Sequence, residues 1–395
     1  MIKKLAELKQ KYQEIADSSD YDNQIIILSQ ILKLAPQDKE AHIYYYNRGN
    51  AYKNNGEFDK AISDFDQALA INPKDADAYN NRGVAYAKKD EFDSAINDFN
   101  QALTINPKYA NAYNNRGVAY AKKDEFDSAI NDFDQALAIN PEYANAYNNR
   151  GVAYAKKDEF DRAISDYNQA LKINPKHAGA YNNRGNAYAK KNEFGKAISD
   201  FDQALAINPK DADAYNNRGV AYKNNGEFDK AISDYNQALK INPKYANAYN
   251  NRGNAYADKD EFDKAISDYN QTLKINPKHT DAYYNRGNVY KDNGELDKAI
   301  NDYNQALKIN PKDVQAYNNR GVVYADKDEF DKAISDYNQA LKINPKYAVV
   351  YNNRGNAYKD NGEFDKAISD YNQALKINPK HAGAYYNLAL LHHLH

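Results

Sequence analysis

The chain has 395 residues, of which 42% are hydrophobic and 27% are charged, and its formal net charge is −2. This balance excludes a sequence-wide attraction for nucleic acid or anionic lipid, since both require an excess of basic side chains. The absence of Cys excludes disulfides, thiol chemistry and Cys-ligated metal sites, and no apolar run approaches the roughly 18 residues that a membrane helix needs.

Residues 1–41 are predicted to form a degenerate helical cap at the N-terminus. Their apolar side chains recur at helical spacing, as Leu5, Leu8 and Tyr12 illustrate. They lack the small residues of the repeats that follow, which is typical of the terminal unit of a repeat array. The opening residues are basic, but the apolar stretch of a secretory signal does not follow, so we expect a cytoplasmic location.

Residues 42–381 consist of ten consecutive repeats of 34 residues each. Proline recurs with this constant step from Pro73 to Pro379, always within Ile-Asn-Pro. Such a period indicates a solenoid, in which each repeat buries its apolar face only against its neighbours. Positions are numbered 1 to 34 below, and the repeats begin at residues 42, 76, 110, 144, 178, 212, 246, 280, 314 and 348.

Each repeat is predicted to contain two helices joined by a tight turn. In the second repeat, Tyr79, Gly83 and Tyr86 mark the first helix, and Ala95 and Phe99 mark an amphipathic second helix. Position 15 is Gly, Asp or Asn, the residues that tolerate the left-handed backbone at a helix end. We expect the residue at position 18 to cap the second helix. We also expect Gly at position 8 to allow close backbone approach at position 20.

Seven positions of each repeat carry the signature of a known family. In the second repeat they are occupied by Tyr79, Gly83, Tyr86, Ala95, Phe99, Ala102 and Pro107. This pattern resembles that of tetratricopeptide repeat proteins, and the resemblance extends over residues 42–381. It implies an all-α fold, a right-handed superhelical solenoid of antiparallel helix pairs whose first helices line a concave wall. Enzyme motifs are absent, so we predict no cofactor, no metal and no catalytic residue.

A column of asparagines at position 6 is predicted to line this concave wall. It is similar to the asparagine ladder in the superhelix of O-GlcNAc transferases, which implies that the amides hold the backbone of an extended peptide. A primary amide both donates and accepts, so it matches any peptide unit; the alternative is that each amide bonds a neighbouring helix or turn. The column comprises Asn47, Asn81, Asn115, Asn149, Asn183, Asn217, Asn251, Asn285, Asn319 and Asn353. Position 9 adds Asn186, Asn254 and Asn288 to the candidate peptide-binding residues.

Position 13 is predicted to give the candidate groove a charge gradient. It is Lys in the second to fifth repeats and Asp in the seventh to tenth, which predicts a basic and then a more acidic groove. These side chains either steer and orient a polar ligand or are solvated turn residues, whose charges are screened by salt. The lysines are Lys88, Lys122, Lys156 and Lys190, and the aspartates are Asp258, Asp292, Asp326 and Asp360.

Arg at position 7 and Asp at position 23 both occur in all ten repeats. The family usually has Leu at position 7, so the arginine is a departure from its pattern. We predict a structural Arg–Asp ladder between the two helices of each repeat, with the stem of the arginine packed where Leu would be.

Residues 382–395 are predicted to form a lone first helix. It ends in apolar side chains that include Leu388 and Leu390, whereas a terminal unit usually has a polar outer face. The helix is therefore a candidate surface for homo-oligomer formation. His392, His393 and His395 could bind a metal loosely, but we expect them to be part of a frayed terminus instead.

Three functions agree with these observations. The first is a non-catalytic scaffold or adaptor that binds an extended peptide segment along the concave face. The second is a structural solenoid that assembles with itself, and the third is the repeat arm of a larger enzyme. The expected partner is a protein or peptide, with neither nucleic acid nor membrane.

Overall fold

The computed structural model describes residues 2–36 and 38–394, without the side chains of residues 2 and 392–394. All regular secondary structure of these residues is α-helical, and the helices pack in consecutive pairs, so the prediction of an all-α repeat fold is confirmed. None of the described helices combines the length and apolar character needed to cross a bilayer. The chain divides into an N-terminal body, Met1–Ile207, and a C-terminal body, Asn208–His395.

The helix bounds follow the repeat. The helices of the N-terminal body are α1 (Ile2–Ile15), α2 (Tyr21–Leu34), α3 (Ala41–Asn54), α4 (Phe58–Ile71), α5 (Ala76–Lys88), α6 (Phe92–Ile105), α7 (Ala110–Lys122), α8 (Phe126–Ile139), α9 (Ala144–Lys156), α10 (Phe160–Ile173), α11 (Ala178–Lys190) and α12 (Phe194–Ile207). Those of the C-terminal body are α13 (Ala212–Asn224), α14 (Phe228–Ile241), α15 (Ala246–Ala257), α16 (Phe262–Ile275), α17 (Thr280–Asp292), α18 (Leu296–Ile309), α19 (Val314–Asp326), α20 (Phe330–Ile343), α21 (Ala348–Asp360), α22 (Phe364–Ile377) and α23 (Ala382–Leu394). Odd-numbered helices from α3 onward are the first helices of repeats.

The turn between the two helices of a repeat is built on a left-handed residue at position 15. Asp90 has φ 59° and Asn192 has φ 60°, while Gly56 has φ 81°. The same conformation occurs at position 15 of every repeat, as the residue types predicted. Gly, Asp and Asn adopt it at the lowest steric cost, so the turn is fixed by local chemistry.

The second helix begins two residues earlier than predicted. In the second repeat α6 starts at Phe92, its N-cap residue is Glu91, and no side chain caps it. Asp93 was expected to be the cap, and that prediction is wrong because Asp93 already lies inside the first turn. Its carboxylate there still interacts favourably with the positive end of the helix dipole.

Gly at position 8 provides space for the aromatic ring at position 24. A Cβ atom added to Gly83 would lie 2.7 Å from Cε1 of Phe99 and 3.1 Å from the carbonyl oxygen of Ala95. The predicted close approach is therefore present, but the ring makes the nearest contact, closer than the backbone at position 20. Phe99 is 1% exposed and packs with Ala119 of the next repeat, so the same ring joins two repeats.

Candidate functional site

The position-6 asparagines link the first helices of consecutive repeats. Asn115 on α7 donates from Nδ2 to Oδ1 of Asn80 on α5 at 3.0 Å. Asn149 on α9 donates to Asn114 on α7, also at 3.0 Å. In both hydrogen bonds the acceptor is the asparagine at position 5 of the preceding repeat. The sequence analysis did not include position 5 among the site residues. The sequence analysis left open the alternative that these amides form hydrogen bonds with a neighbouring helix, and such hydrogen bonds are present.

The same linkage recurs in both bodies, with two variations. Asn183, Asn251, Asn285 and Asn353 donate to a position-5 asparagine of the preceding repeat at 3.0 to 3.3 Å. Where position 5 is Tyr, the amide donates to the phenol instead, from Asn81 to Tyr46 at 2.8 Å and from Asn319 to Tyr284 at 3.0 Å. Asn47 and Asn217 occupy the same position on α3 and α13 and are half-buried.

The hydrogen bonds within the column use only part of the amide of Asn115. Asn115 donates one hydrogen bond and accepts one from Asn114 at 3.4 Å. A primary amide has two N–H donors and a carbonyl oxygen with two lone pairs, so one donor and one lone pair of Asn115 remain. Because Asn115 is half-buried, this remaining capacity is accessible from the face of the first helices.

Three contiguous pockets lie along this face in the N-terminal body. They have volumes of about 230, 260 and 270 Å³ and are formed by the second and third, the third and fourth, and the fourth and fifth repeats. Each has an aromatic residue at its base, which is Phe99, Phe133 or Tyr167. Their walls include Asn115, Asn149 and Asn183 in turn, and Asn186 lines the third. The aromatic base was not predicted as part of the site.

The position-13 lysines line the same pockets, and we call them the lysine row. It consists of Lys88, Lys122, Lys156 and Lys190, which are exposed. Each pocket contains two consecutive members of the row. The structure thus brings together eight of the predicted site residues, Asn115, Asn149, Asn183, Asn186 and the lysine row.

The corresponding residues of the C-terminal body make contacts within the protein. Asn254 accepts a hydrogen bond from the phenol of Tyr269 at 2.8 Å, and Asn288 accepts one from Tyr303 at 2.7 Å. Three of the four aspartates at position 13 are paired with lysine at position 12 of their own or the preceding repeat. The pairs are Lys223–Asp258 at 3.2 Å, Lys291–Asp292 at 3.1 Å and Lys359–Asp360 at 3.1 Å.

The predicted Arg–Asp ladder is present and has a third member. Arg82 donates from Nε and Nη2 to the two carboxylate oxygens of Asp98, at 2.8 and 2.7 Å. Its Nη1 donates to Asp66 on the second helix of the preceding repeat at 2.5 Å. The hydrogen bond to Asp98 raises the pKa of Arg82 above its ordinary value. Since Asp98 is 2% exposed, the ladder is a structural clasp rather than a ligand site.

Histidine has a capping role that the sequence analysis missed. Nδ1 of His177 accepts from the backbone N–H of Ala180 at 3.1 Å, at the start of α11. His279 and His381 cap α17 and α23 in the same way. Within the described residues, no group of His and carboxylate side chains is arranged to hold a metal ion. His392, His393 and His395, which we expect to form a frayed terminus rather than a metal site, lie outside the described side chains.

The last helix has an apolar outer surface. On α23, Tyr385 is 54% exposed, Tyr386 is 67% exposed and Leu390 is 38% exposed. Leu391 is buried against α22.

Comparison with known proteins identifies the family of the repeats. The tetratricopeptide repeat profile matches residues 76–109, 110–143, 144–177, 212–245, 314–347 and 348–381. The chain belongs to the tetratricopeptide repeat family. Further profiles of TPR repeats match residues 49–90, 185–226, 253–294 and 287–328, and residues 166–199 and 234–267. A comparison with curated protein sequences gives no match.

Several solved structures share the fold of this tetratricopeptide repeat protein. The Cut9–Hcn1 structure of the APC/C aligns with a TM-score of 0.54 and 16% identity, covering 98% of this chain and 96% of that one. Yeast Tom70 aligns with a TM-score of 0.51 and 16% identity, covering 99% and 95%. A tetratricopeptide repeat protein from Parabacteroides merdae aligns with a TM-score of 0.51 and 20% identity, covering 63% and 98%. At these identities the similarity concerns the fold alone.

Proposed function

We propose that this protein is a non-catalytic cytoplasmic scaffold that binds an extended polypeptide segment along the first helices of its second to fifth repeats. The observation that carries the proposal is the row of three contiguous pockets, each with an apolar base, an asparagine amide and two lysines. Family membership supports an interaction scaffold in general.

The chemistry of the pockets suits a polypeptide. Asn115 keeps one N–H and one carbonyl lone pair, which together match the two polar groups of a peptide unit whatever its side chain. The apolar bases accept side chains, and Val118 and Val152 form walls that neighbouring pockets share. Backbone recognition thus supplies general affinity, and the pockets supply selectivity.

The expected affinity is modest. Each amide–backbone hydrogen bond contributes about 0.5–1.5 kcal/mol net, whereas association costs about 4–15 kcal/mol before any segment is ordered. Three amides and three small apolar pockets therefore lead us to expect dissociation constants in the micromolar range, about 1 μM or weaker.

A pair of tryptophan substitutions tests the proposed site. Ala121 lines the second pocket, and position 12 holds the larger Lys in four other repeats, so Ala121→Trp fills the pocket without an obvious cost to the fold. Ala138 is exposed on the second helix of the same repeat, and Ala138→Trp is the matched control. We expect partners recovered with the wild-type chain to be lost with Ala121→Trp and kept with Ala138→Trp, at equal thermal stability. Full retention with Ala121→Trp would contradict the proposed site.

A second candidate function is self-assembly through α23. It is favoured by the exposed Tyr385, Tyr386 and Leu390, because adjacent exposed apolar side chains commonly mark interaction sites. Light scattering over a range of concentrations tests it. A mass that rises with concentration in the wild type but not in Tyr386→Lys would support self-assembly, and a constant monomer mass would exclude it.

A further inference from the structure

The lysine row differs from the lysines next to it in having no ion-pair partner among the residues that the structure describes. At position 14 of the same repeats, Lys89 and Lys123 lie 2.7 Å from Asp59 and Asp93 of the preceding repeats. Lys157 and Lys191 are paired in the same way at 2.5 Å. In contrast, no carboxylate of the described residues lies within ion-pair distance of Lys88, Lys122, Lys156 or Lys190. The chain therefore neutralises one lysine of each adjacent pair and leaves the other uncompensated.

The uncompensated charges are concentrated along the pockets. Lys122 lines both the first and second pockets, and Lys156 lines both the second and third. One carboxylate also lines each of the first two pockets, from Asp90 and Asp124, whereas the third has none. Each pocket thus has a net positive lining above an apolar base. Such a surface attracts anionic groups and also accepts apolar ones.

The size of the pockets indicates side chains of one segment rather than a small molecule. Their volumes of about 230 to 270 Å³ fall below the roughly 300–1,000 Å³ of ordinary ligand sites. Because they share walls, they form a continuous row that three side chains of one chain can occupy in turn.

The spacing of the pockets favours a particular backbone conformation. The first helices of consecutive repeats contact each other, and packed helices lie about 8–10 Å apart. A polyproline II segment rises about 3.1 Å per residue with three residues per turn, so every third side chain recurs on one face after about 9.3 Å. An apolar residue at every third position would therefore meet successive pockets.

We propose that the ligand of this site is an acidic segment in polyproline II conformation, with an apolar side chain at every third position and carboxylates between them. This inference rests on the proposed function, since it assigns the chemistry of the segment that occupies the same pockets. The carboxylates pair with the lysine row, and the apolar side chains fill the pockets above Phe99, Phe133 and Tyr167.

Single-stranded nucleic acid is the competing anionic polymer, and the structure favours it less. Its binding depends on a continuous basic groove and on exposed aromatic faces for base stacking. Here the aromatic rings at the pocket bases are at most 1% exposed, the second ring that lines each pocket (Phe92, Phe126 or Phe160) is only partly exposed, and the net charge of the chain is −2. An oligonucleotide is therefore included as an arm of the test.

The test uses the full chain and labelled peptides in fluorescence anisotropy. The acidic probe is a nonapeptide made of three Leu-Glu-Pro triplets, and its matched forms replace every Glu by Gln or by Lys. A thymidine oligonucleotide of comparable length is the fourth probe. One protein variant changes the four lysines of the row to Gln. The control variant changes Lys89, Lys123, Lys157 and Lys191 to Gln, so both variants have the same net charge.

We expect the acidic probe to bind most tightly, with affinity that falls as salt is raised. The lysine-row variant should bind it about tenfold more weakly, equivalent to about 1.4 kcal/mol, while the control variant changes little. An equal loss in both variants, a preference for the Lys peptide, or tighter binding of the oligonucleotide would overturn the proposal. So would no binding of the acidic probe at about 1 mM, a concentration that corresponds to only about −4.1 kcal/mol.

The failure of this inference is distinguishable from the failure of the proposed function. If the Gln peptide binds as tightly as the acidic one and Ala121→Trp abolishes both, the pockets bind peptides but do not select acidic ones. If Ala121→Trp leaves the binding of every peptide unchanged, the pockets are not the site and both proposals are wrong.

Discussion

Replacing Arg116 by Leu tests whether the arginine clasp holds neighbouring repeats together. Arg116 on α7 donates from Nε and Nη2 to the carboxylate of Asp132 on α8, at 2.7 and 2.6 Å. Its Nη1 donates to Oδ1 of Asn100 on α6 at 2.5 Å. One side chain therefore connects both helices of its repeat with the second helix of the preceding repeat, and Leu would break all three connections.

The expected cost follows from the burial of the partner. Asp132 is 1% exposed, so removing the guanidinium leaves a buried carboxylate without its cation, which costs about 3–5 kcal/mol. The side chain of Arg116 is 18% exposed, and Leu recovers some apolar packing, so we expect a loss of about 3 kcal/mol. In a repeat array this loss affects both the intrinsic stability of one repeat and its interface with the preceding one.

Native-state hydrogen exchange is the appropriate assay, because long repeat arrays do not unfold in two states. We expect the amides of α7 and α8 to lose protection locally, while the protection of amides in distant repeats is unchanged. The double variant Arg116→Leu, Asp132→Leu is the control, since replacing a buried ion pair by apolar residues is often neutral. Two results would refute the reasoning. The first is that the α7 and α8 amides of Arg116→Leu keep a protection within about 0.5 kcal/mol of the wild type, and the second is that the double variant is no more stable than the single one.

Two further predictions use the internal repetition of the chain. Gly117→Ala places a Cβ 2.7 Å from a ring carbon of the position-24 side chain and should destabilise by about 1–3 kcal/mol. The Cβ of Gly195→Ala meets no atom within 4 Å, so this substitution should raise the free energy of unfolding by about 0.5–1 kcal/mol. Melting temperatures that change in the same direction for both glycine variants would contradict these two predictions. The hydroxyl of Tyr235 is buried without a hydrogen-bond partner among the described residues. Val220→Asn supplies the same acceptor that Asn254 provides for Tyr269 in the seventh repeat. It should increase the hydrogen-exchange protection of the α14 amides by about 0.5–1.5 kcal/mol, and unchanged exchange rates would contradict this prediction.

Features of the fold that depend on one residue type, or on two complementary ones, could be predicted from the sequence. The left-handed turn at position 15 follows from the conformational freedom of Gly, Asp and Asn. The pairing of Arg at position 7 with Asp at position 23 follows from opposite charges that recur together in every repeat. Both are local to one repeat, so the packing of neighbouring repeats does not need to be known.

Features that depend on how two repeats meet could not be predicted in the same way. The hydrogen bond from Asn149 to Asn114 is set by the offset between consecutive first helices, which the period of the sequence does not specify. The only signal was the recurrence of asparagine at both positions 5 and 6. The uncompensated state of the lysine row likewise depends on which carboxylates the preceding repeat brings near, and two adjacent lysines such as Lys122 and Lys123 are indistinguishable by type.

The caps of the first helices lie between these two cases. Position 34 is Asp or His in six repeats, for example Asp75 and His177, and both side chains can accept a hydrogen bond from a helix N-terminus. This shared property is a usable signal for the caps of the first helices. The cap that His177 forms makes the stability of α11 dependent on pH.

Lowering the pH should weaken the start of α11. Nδ1 of His177 accepts from the N–H of Ala180 at 3.1 Å, and only the neutral imidazole has a nitrogen that can accept. Burial lowers the pKa of His177 below its ordinary value of 6.5. The unfolded chain therefore binds the proton more readily, so stability rises with pH between the two values. The contribution is fully present above about pH 6.5 and is lost as the pH falls through the pKa of the folded state.

The matched variant is His177→Asp, because the chain itself uses Asp211 at this position to accept from Ala214 at 3.0 Å. A carboxylate stays ionised down to about pH 4, so the variant should keep its cap where the histidine loses it. We expect the protection of the first α11 amides, corrected for intrinsic exchange, to fall between pH 7 and 5 in the wild type by up to the value of a cap, about 0.5–2 kcal/mol. The same fall in His177→Asp would show that another group is responsible, since the substituted carboxylate does not titrate in this range.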